Sequence, residues 1–105
     1  MSVPPRDAAQ RRAALDESSR VRRVRSELKA DLANRRVELL DVLTRRNDPA
    51  IANMRVAEVV EALPGYGPAR TAALMQQVGI AANRRVRGLG ARQLRELDAE
   101  FGGSR

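Results

Sequence analysis

Two segments have residue types at spacings that could do chemistry: Leu63-Pro64-Gly65-Tyr66-Gly67-Pro68-Ala69-Arg70 and Asn83-Arg84-Arg85-Val86-Arg87-Gly88-Leu89-Gly90. In the first, two glycines stand just before a helix that starts at Pro68. The opening turn of a helix leaves backbone N–H groups unpaired at the positive end of its dipole. Glycines let such N–H groups approach an anion closely, and Arg70 adds a charge-assisted donor for the same phosphate. In the second, Arg84, Arg85 and Arg87 crowd into a short segment braced by Gly88 and Gly90, with Val86 and Leu89 as apolar anchors and Asn83 as cap of the turn. Between Pro64 and Arg95 stand six arginines and no acidic residue. The glycines alone would equally make an ordinary tight turn, and an arginine run alone a solvated face. Together, without counter-charge, they favour a surface for nucleic-acid phosphate, and guanidinium groups suit the enhanced potential of a narrow minor groove.

Composition narrows the chemistry further. The 105 residues suffice for one small domain with a modest core. With no cysteine there is neither a disulfide framework nor a thiolate metal site, and with no histidine the commonest general base and metal ligand are missing. No carboxylate or hydroxyl cluster stands out, so neither an enzyme nor a cofactor is expected. The net charge of +7 is unevenly distributed: residues 1–36 and 64–95 are strongly basic, while 37–63 and 96–105 are mildly acidic. Two basic surfaces on a neutral core follow. Nineteen of the twenty cations are arginine, which suits guanidinium chemistry and equally a GC-rich bacterial coding sequence. No apolar run approaches the roughly 20 residues of a membrane span, and Met1 to Arg12 lacks the apolar centre of a signal peptide, so a cytoplasmic location without membrane contact is expected.

The elements that must position these segments are helices, and no stretch alternates as a strand would. Residues 1–6, with Pro4-Pro5, are expected as a flexible arm. Residues 7–34 form one long basic helix capped by Asp7, with Val21, Val24, Leu28 and Leu32 as its apolar stripe. Arg22, Arg25 and Lys29 on this helix are expected as a second contact. Residues 37–102 form the binding domain, one structural unit with the long helix. Its short helices are Val37–Arg45 (Val37, Leu40 and Leu43 inward), Pro49–Asn53 behind an Asp48 cap, Val56–Leu63, Pro68–Val78 closed by Gly79, and Ala91–Phe101. Ala72 is small enough for close approach of a neighbouring helix. The fold class is all-α.

The stretch from Glu61 to Phe101, through Leu63-Pro64-Gly65-Tyr66-Gly67 and Asn83-Arg84-Arg85-Val86-Arg87-Gly88-Leu89-Gly90, resembles the actinobacterial integration host factor family. The basic N-terminal helix, Met54-Arg55-Val56 and Phe101-Gly102 stand where that family places such features. The resemblance implies a small nucleoid-associated protein, with a compact helix-two-turn-helix domain behind a long N-terminal helix, and a monomer is expected. Such a protein bends or compacts double-stranded DNA with little sequence preference. By the resemblance, Gly65, Tyr66, Gly67 and Arg70 bind backbone phosphate, and Arg84, Arg85 and Arg87, with Asn83, Gly88 and Gly90 beside them, form the segment that faces the minor groove. A phage integrase or a topoisomerase is an implied partner. The family carries lysines in and around the glycine turn, where only Arg70 is basic here. The same turn and basic segment also resemble a ribosomal small-subunit head protein, which would make the ligand RNA. Against this, Tyr66 and Phe101 are the only aromatic residues available to stack on unpaired bases. A helix-hairpin-helix accessory of a DNA-repair complex is a further reading. So is a structural helix partner, although the apolar stripe spans about two heptads where a coiled coil needs three or four.

Overall fold

The long helix α1 covers Pro5–Ala33 in a computed structural model that describes residues 5–101, with side chains from Ala8 onward. Residues 1–4 of the expected arm lie outside the described residues, and its last two residues are helical instead. Proline is tolerated in a first turn because its missing N–H would have had no acceptor. From Ala8 to Ser19 every residue is exposed, and this half of α1 projects from a molecule measuring 62 × 26 × 24 Å. The other half is anchored by its stripe: Leu28 and Leu32 are buried, Val24 packs against the same core, and Val21 is half-buried at the edge. Arg20 ties α1 to the loop beyond by bonding both Glu17 (2.9 Å) and Asp48 (3.5 Å). Its hydrogen bond holds the Glu17 carboxyl below the ordinary value, and Glu17 raises Arg20 in return.

The ends of α1 and α5 (Pro68–Val78) are built alike. After α1, Arg35 takes a left-handed conformation (φ 58°), its N–H donates to the Leu32 carbonyl, and the Arg36 N–H reaches back to Asp31 at 2.8 Å. After α5, Gly79 takes φ 77°, its N–H donates to Gln76, and the Ile80 N–H reaches Met75 at 2.8 Å. Both are Schellman closures, which satisfy carbonyls that a helix end leaves open.

Between them lie α2 (Leu39–Leu43), α3 (Pro49–Ala52) and α4 (Val56–Glu61); α6 (Ala91–Phe101) closes the fold. α2 is shorter than the expected Val37–Arg45, because the chain is still extended at Glu38 (φ −90°, ψ 152°). Its deeply buried residues are Leu39, Val42 and Leu43, while Leu40 is half-buried and Val37 packs against the core from outside the helix. α3 starts as its sequence dictates: the Asp48 carboxylate accepts the Ala50 N–H at 3.0 Å, with Pro49 next to the cap. In α5 the inward residues are Thr71, Leu74, Met75 and Val78. Ala72 is exposed, contrary to expectation, because it sits one residue, about 100° of helix rotation, past that face.

α1 packs on α3, α4 on α5, and α2 and α5 on α6, around a core centred on Leu32, Leu43, Met54, Val59, Val60 and Val86, none of which is exposed. The described residues contain no strand, in keeping with the all-α expectation, but they do contain one isolated antiparallel bridge, between Arg55 and Arg85. No helix among them is long and apolar enough to cross a membrane.

Candidate nucleic-acid interface

That bridge builds the arginine segment. The Val56 N–H donates to the Arg84 carbonyl and the Val86 N–H to the Met54 carbonyl, both at 2.9 Å. Met54 and Val86 are fully buried, so the two strands of chain are pinned from beneath while Arg55, Arg84, Arg85 and Arg87 stay exposed above. A 3₁₀ turn, Val86–Gly88, follows the extended Arg85. Asn83 does not cap it; Asn83 lies in the preceding turn, closed by the Arg84 N–H on the Ala81 carbonyl. Leu89 is buried, as expected of an anchor. Asn83, Arg84, Arg85, Arg87 and Gly88 line one open hollow of about 320 Å³. Gly88 leaves room for the Arg84 side chain: a Cβ there would lie 3.0 Å from Arg84 Cδ and press it aside, and Arg84 donates to the Gly88 carbonyl at 3.2 Å. Gly90 starts α6, its N–H accepted by Gln93 Oε1 at 3.1 Å in half of a capping box.

The glycine turn is formed differently. Gly65 has φ 83°, which favours glycine, whereas Gly67 is extended (φ −83°, ψ −179°) and opens α5 without a side-chain cap. A Cβ on Gly67 would meet nothing within 4 Å. The fold itself therefore does not require glycine at 67; what the missing side chain leaves open is the approach to the first N–H groups of α5. Arg70 folds back over the turn, donating to the Gly65 carbonyl at 3.2 Å and lying 4.3 Å from the centre of the Tyr66 ring. Tyr66 in turn packs on Phe101, with ring centres 5.2 Å apart.

α4 connects the two elements. It begins at the bridge, is about 9 Å long, and leads into the turn that holds Gly65. The long-helix cations are placed otherwise. Arg22 is exposed, with a bond to Ser19 Oγ at 3.4 Å. Arg25 is half-buried and donates to the Ala50 carbonyl at 3.2 Å, and Lys29 pairs with Glu58 at 2.6 Å. Both therefore fasten α1 to the rest of the fold. Two residues of the arginine surface escaped the residue-by-residue reading. Arg55 joins it through the bridge, and Asn53 accepts from Arg85 through its carbonyl and from Arg87 through Oδ1 at 2.8 Å. Arg55 had a signal, a lone cation between two apolar residues; Asn53 had none.

The partners of the cations set their free charge. Arg20, Lys29, Arg36 and Arg92 pair with carboxylates. Among the described residues, Arg70, Arg84, Arg85 and Arg87 hydrogen-bond only to carbonyl and amide oxygens, so their charge is held in place without being neutralised there.

The S13-like H2TH domain family matches residues 32–101. The chain is 39% identical over 103 residues to Integration host factor of Streptomyces coelicolor, covering 97% of this chain and 96% of the relative. It is 38% identical over 103 residues to Integration host factor of Mycobacterium tuberculosis, covering 97% and 98%. Among solved structures, that of sIHF bound to an 8bp palindromic DNA superposes with a TM-score of 0.81 at 36% identity, covering 83% of this chain and 99% of that one. With a shared fold and identity along nearly its whole length, the chain belongs to the integration host factor family, built on an S13-like H2TH domain.

Proposed function

We propose that this protein is a non-enzymatic, monomeric architectural factor of the bacterial nucleoid. It binds double-stranded DNA with low sequence specificity through backbone phosphates and the minor groove, and bends or compacts it. The observation that carries this reading is the set of four arginines at the two ends of α4, oriented by carbonyl and amide oxygens and paired with no carboxylate among the described residues. Guanidinium groups held in place before the ligand arrives lose little side-chain freedom on binding. In support, the solved neighbour sIHF is bound to an 8bp palindromic DNA. Residues 37–102 are the binding unit, with Gly65, Tyr66, Gly67 and Arg70 at backbone phosphate and Arg84, Arg85 and Arg87, flanked by Asn83, Gly88 and Gly90, at the groove. On α1, exposed Arg22 is the candidate for a further phosphate contact; Arg25 and Lys29 act structurally.

The test is a salt-titrated comparison of duplex DNA, single-stranded DNA and structured RNA, with the wild type and with Arg84, Arg85 and Arg87 all changed to alanine. Expected is tight duplex binding that the triple variant loses by at least about a hundredfold, without loss of helicity by circular dichroism. Preference for RNA would favour the ribosome-like reading, and normal duplex binding by the triple variant would show that the interface lies elsewhere.

A further inference from the structure

Asn53 stands at the C-terminal end of α3, half-buried, with two guanidinium groups on its oxygens. Its backbone carbonyl takes Nη1 of Arg85, and its side-chain Oδ1 takes Nη1 of Arg87 at 2.8 Å. Guanidinium groups only donate, so the amide must turn its oxygen toward Arg87, and its orientation is settled by chemistry. The platform beneath is stiff for a four-residue helix. Asp48 caps α3, Arg25 of α1 bonds the Ala50 carbonyl, and Ala50, Ile51 and Ala52 are buried. Asn53 thus transmits the position of α1 and α3 to side chains more than thirty residues away in sequence. Arg87 has no other bonding partner among the described residues, so without Oδ1 its head would be free to sample its rotamers.

We infer that Asn53 is a positioning residue of the DNA interface: through Oδ1 it holds the Arg87 guanidinium in its binding orientation without neutralising its charge. An acid here would hold Arg87 equally well but cancel the charge, and an apolar residue would leave it loose. A neutral amide is the residue type that orients the arginine and keeps it available to phosphate. The inference rests on the DNA-binding reading above and concerns how that same site is set.

The experiment uses the full chain and a fluorescein-labelled short duplex, with affinity read across a salt series. Asn53→Ala is expected to weaken binding by about fivefold to tenfold, the scale of one charge-assisted hydrogen bond, with the thermal transition nearly unchanged. The double-mutant cycle identifies the mechanism. The cost of Asn53→Ala should largely vanish in an Arg87→Ala background but persist in an Arg85→Ala background, because alanine at 53 keeps the carbonyl that holds Arg85. Asn53→Asp should weaken binding and lower the magnitude of the salt slope by about one, as one phosphate contact loses its free charge. Wild-type affinity in Asn53→Ala, or a cost of the same size in all three backgrounds, would overturn the inference. If the arginine triple variant loses binding all the same, the DNA-binding reading survives that result. If neither Asn53→Ala nor the triple variant changes affinity, both fail.

Discussion

Gly67 separates what the fold needs from what a ligand needs. Its backbone angles suit any residue and a side chain there would project into open space, yet the position carries the one residue type that leaves the start of α5 uncovered. An aspartate should cap α5 and contribute a few tenths to about 1 kcal/mol of stability, since acceptors at this position satisfy open N–H groups and complement the helix dipole. The same carboxylate would occupy the proposed phosphate position. Gly67→Asp is therefore expected to melt at or above the wild-type temperature while binding duplex DNA at least about tenfold more weakly. Unchanged affinity in a stabilised variant would remove the glycine turn from the interface. Gly65 is the opposite case: at φ 83° it serves the turn itself, so a side chain there strains the backbone whatever the ligand.

At the scale of elements, the two Schellman closures form a natural comparison. Gly79 after α5 was legible in the sequence, because glycine just past an apolar helical pattern is the usual sign of a left-handed stop. Arg35 after α1 gave no such sign, although it takes nearly the same conformation (φ 58° against 77°) and closes the same pair of hydrogen bonds. A left-handed non-glycine residue costs about 1 kcal/mol, so Arg35→Gly should stabilise the protein by roughly that amount, a rise of several degrees in Tm for a chain of this size. A lower Tm would mean that the Arg35 side chain contributes more than its backbone strain costs.

For the whole molecule, the charge pattern sets how binding responds to solution conditions. Arg55, Arg70, Arg84, Arg85 and Arg87 are exposed at the two ends of α4, and none has a carboxylate partner among the described residues. If these five neutralise about five phosphates, the logarithm of affinity should fall against the logarithm of salt concentration with a slope near −4 to −5. A flat response would be incompatible with a phosphate-based interface. The chain holds no histidine and no cysteine, the residues that most often change charge near neutrality. Duplex affinity at fixed ionic strength should accordingly stay level between about pH 6 and pH 9. The exposed Glu17 carboxyl is held below its ordinary value by its bond to Arg20. Its small contribution is present above the ordinary glutamate range and is lost only as pH falls through the lowered value, well outside that window.

Local rules were enough to place most helices from the sequence. Asp48-Pro49 starts α3, and Pro68 and Gly79 bound α5, because capping and proline geometry act within a few neighbouring residues. Composition alone excluded thiol and imidazole chemistry, and the unbroken run of positive charge marked both halves of the candidate interface. The tertiary structure decided which cations are free. Lys29 and Arg25 look like Arg22 in the sequence but are drawn to Glu58 and the Ala50 carbonyl, while Arg55 and Asn53 are brought to the arginine segment by a bridge spanning thirty residues. Whether a charged side chain meets a carboxylate, a carbonyl or solvent depends on residues distant in the chain, and no local pattern encodes that distance.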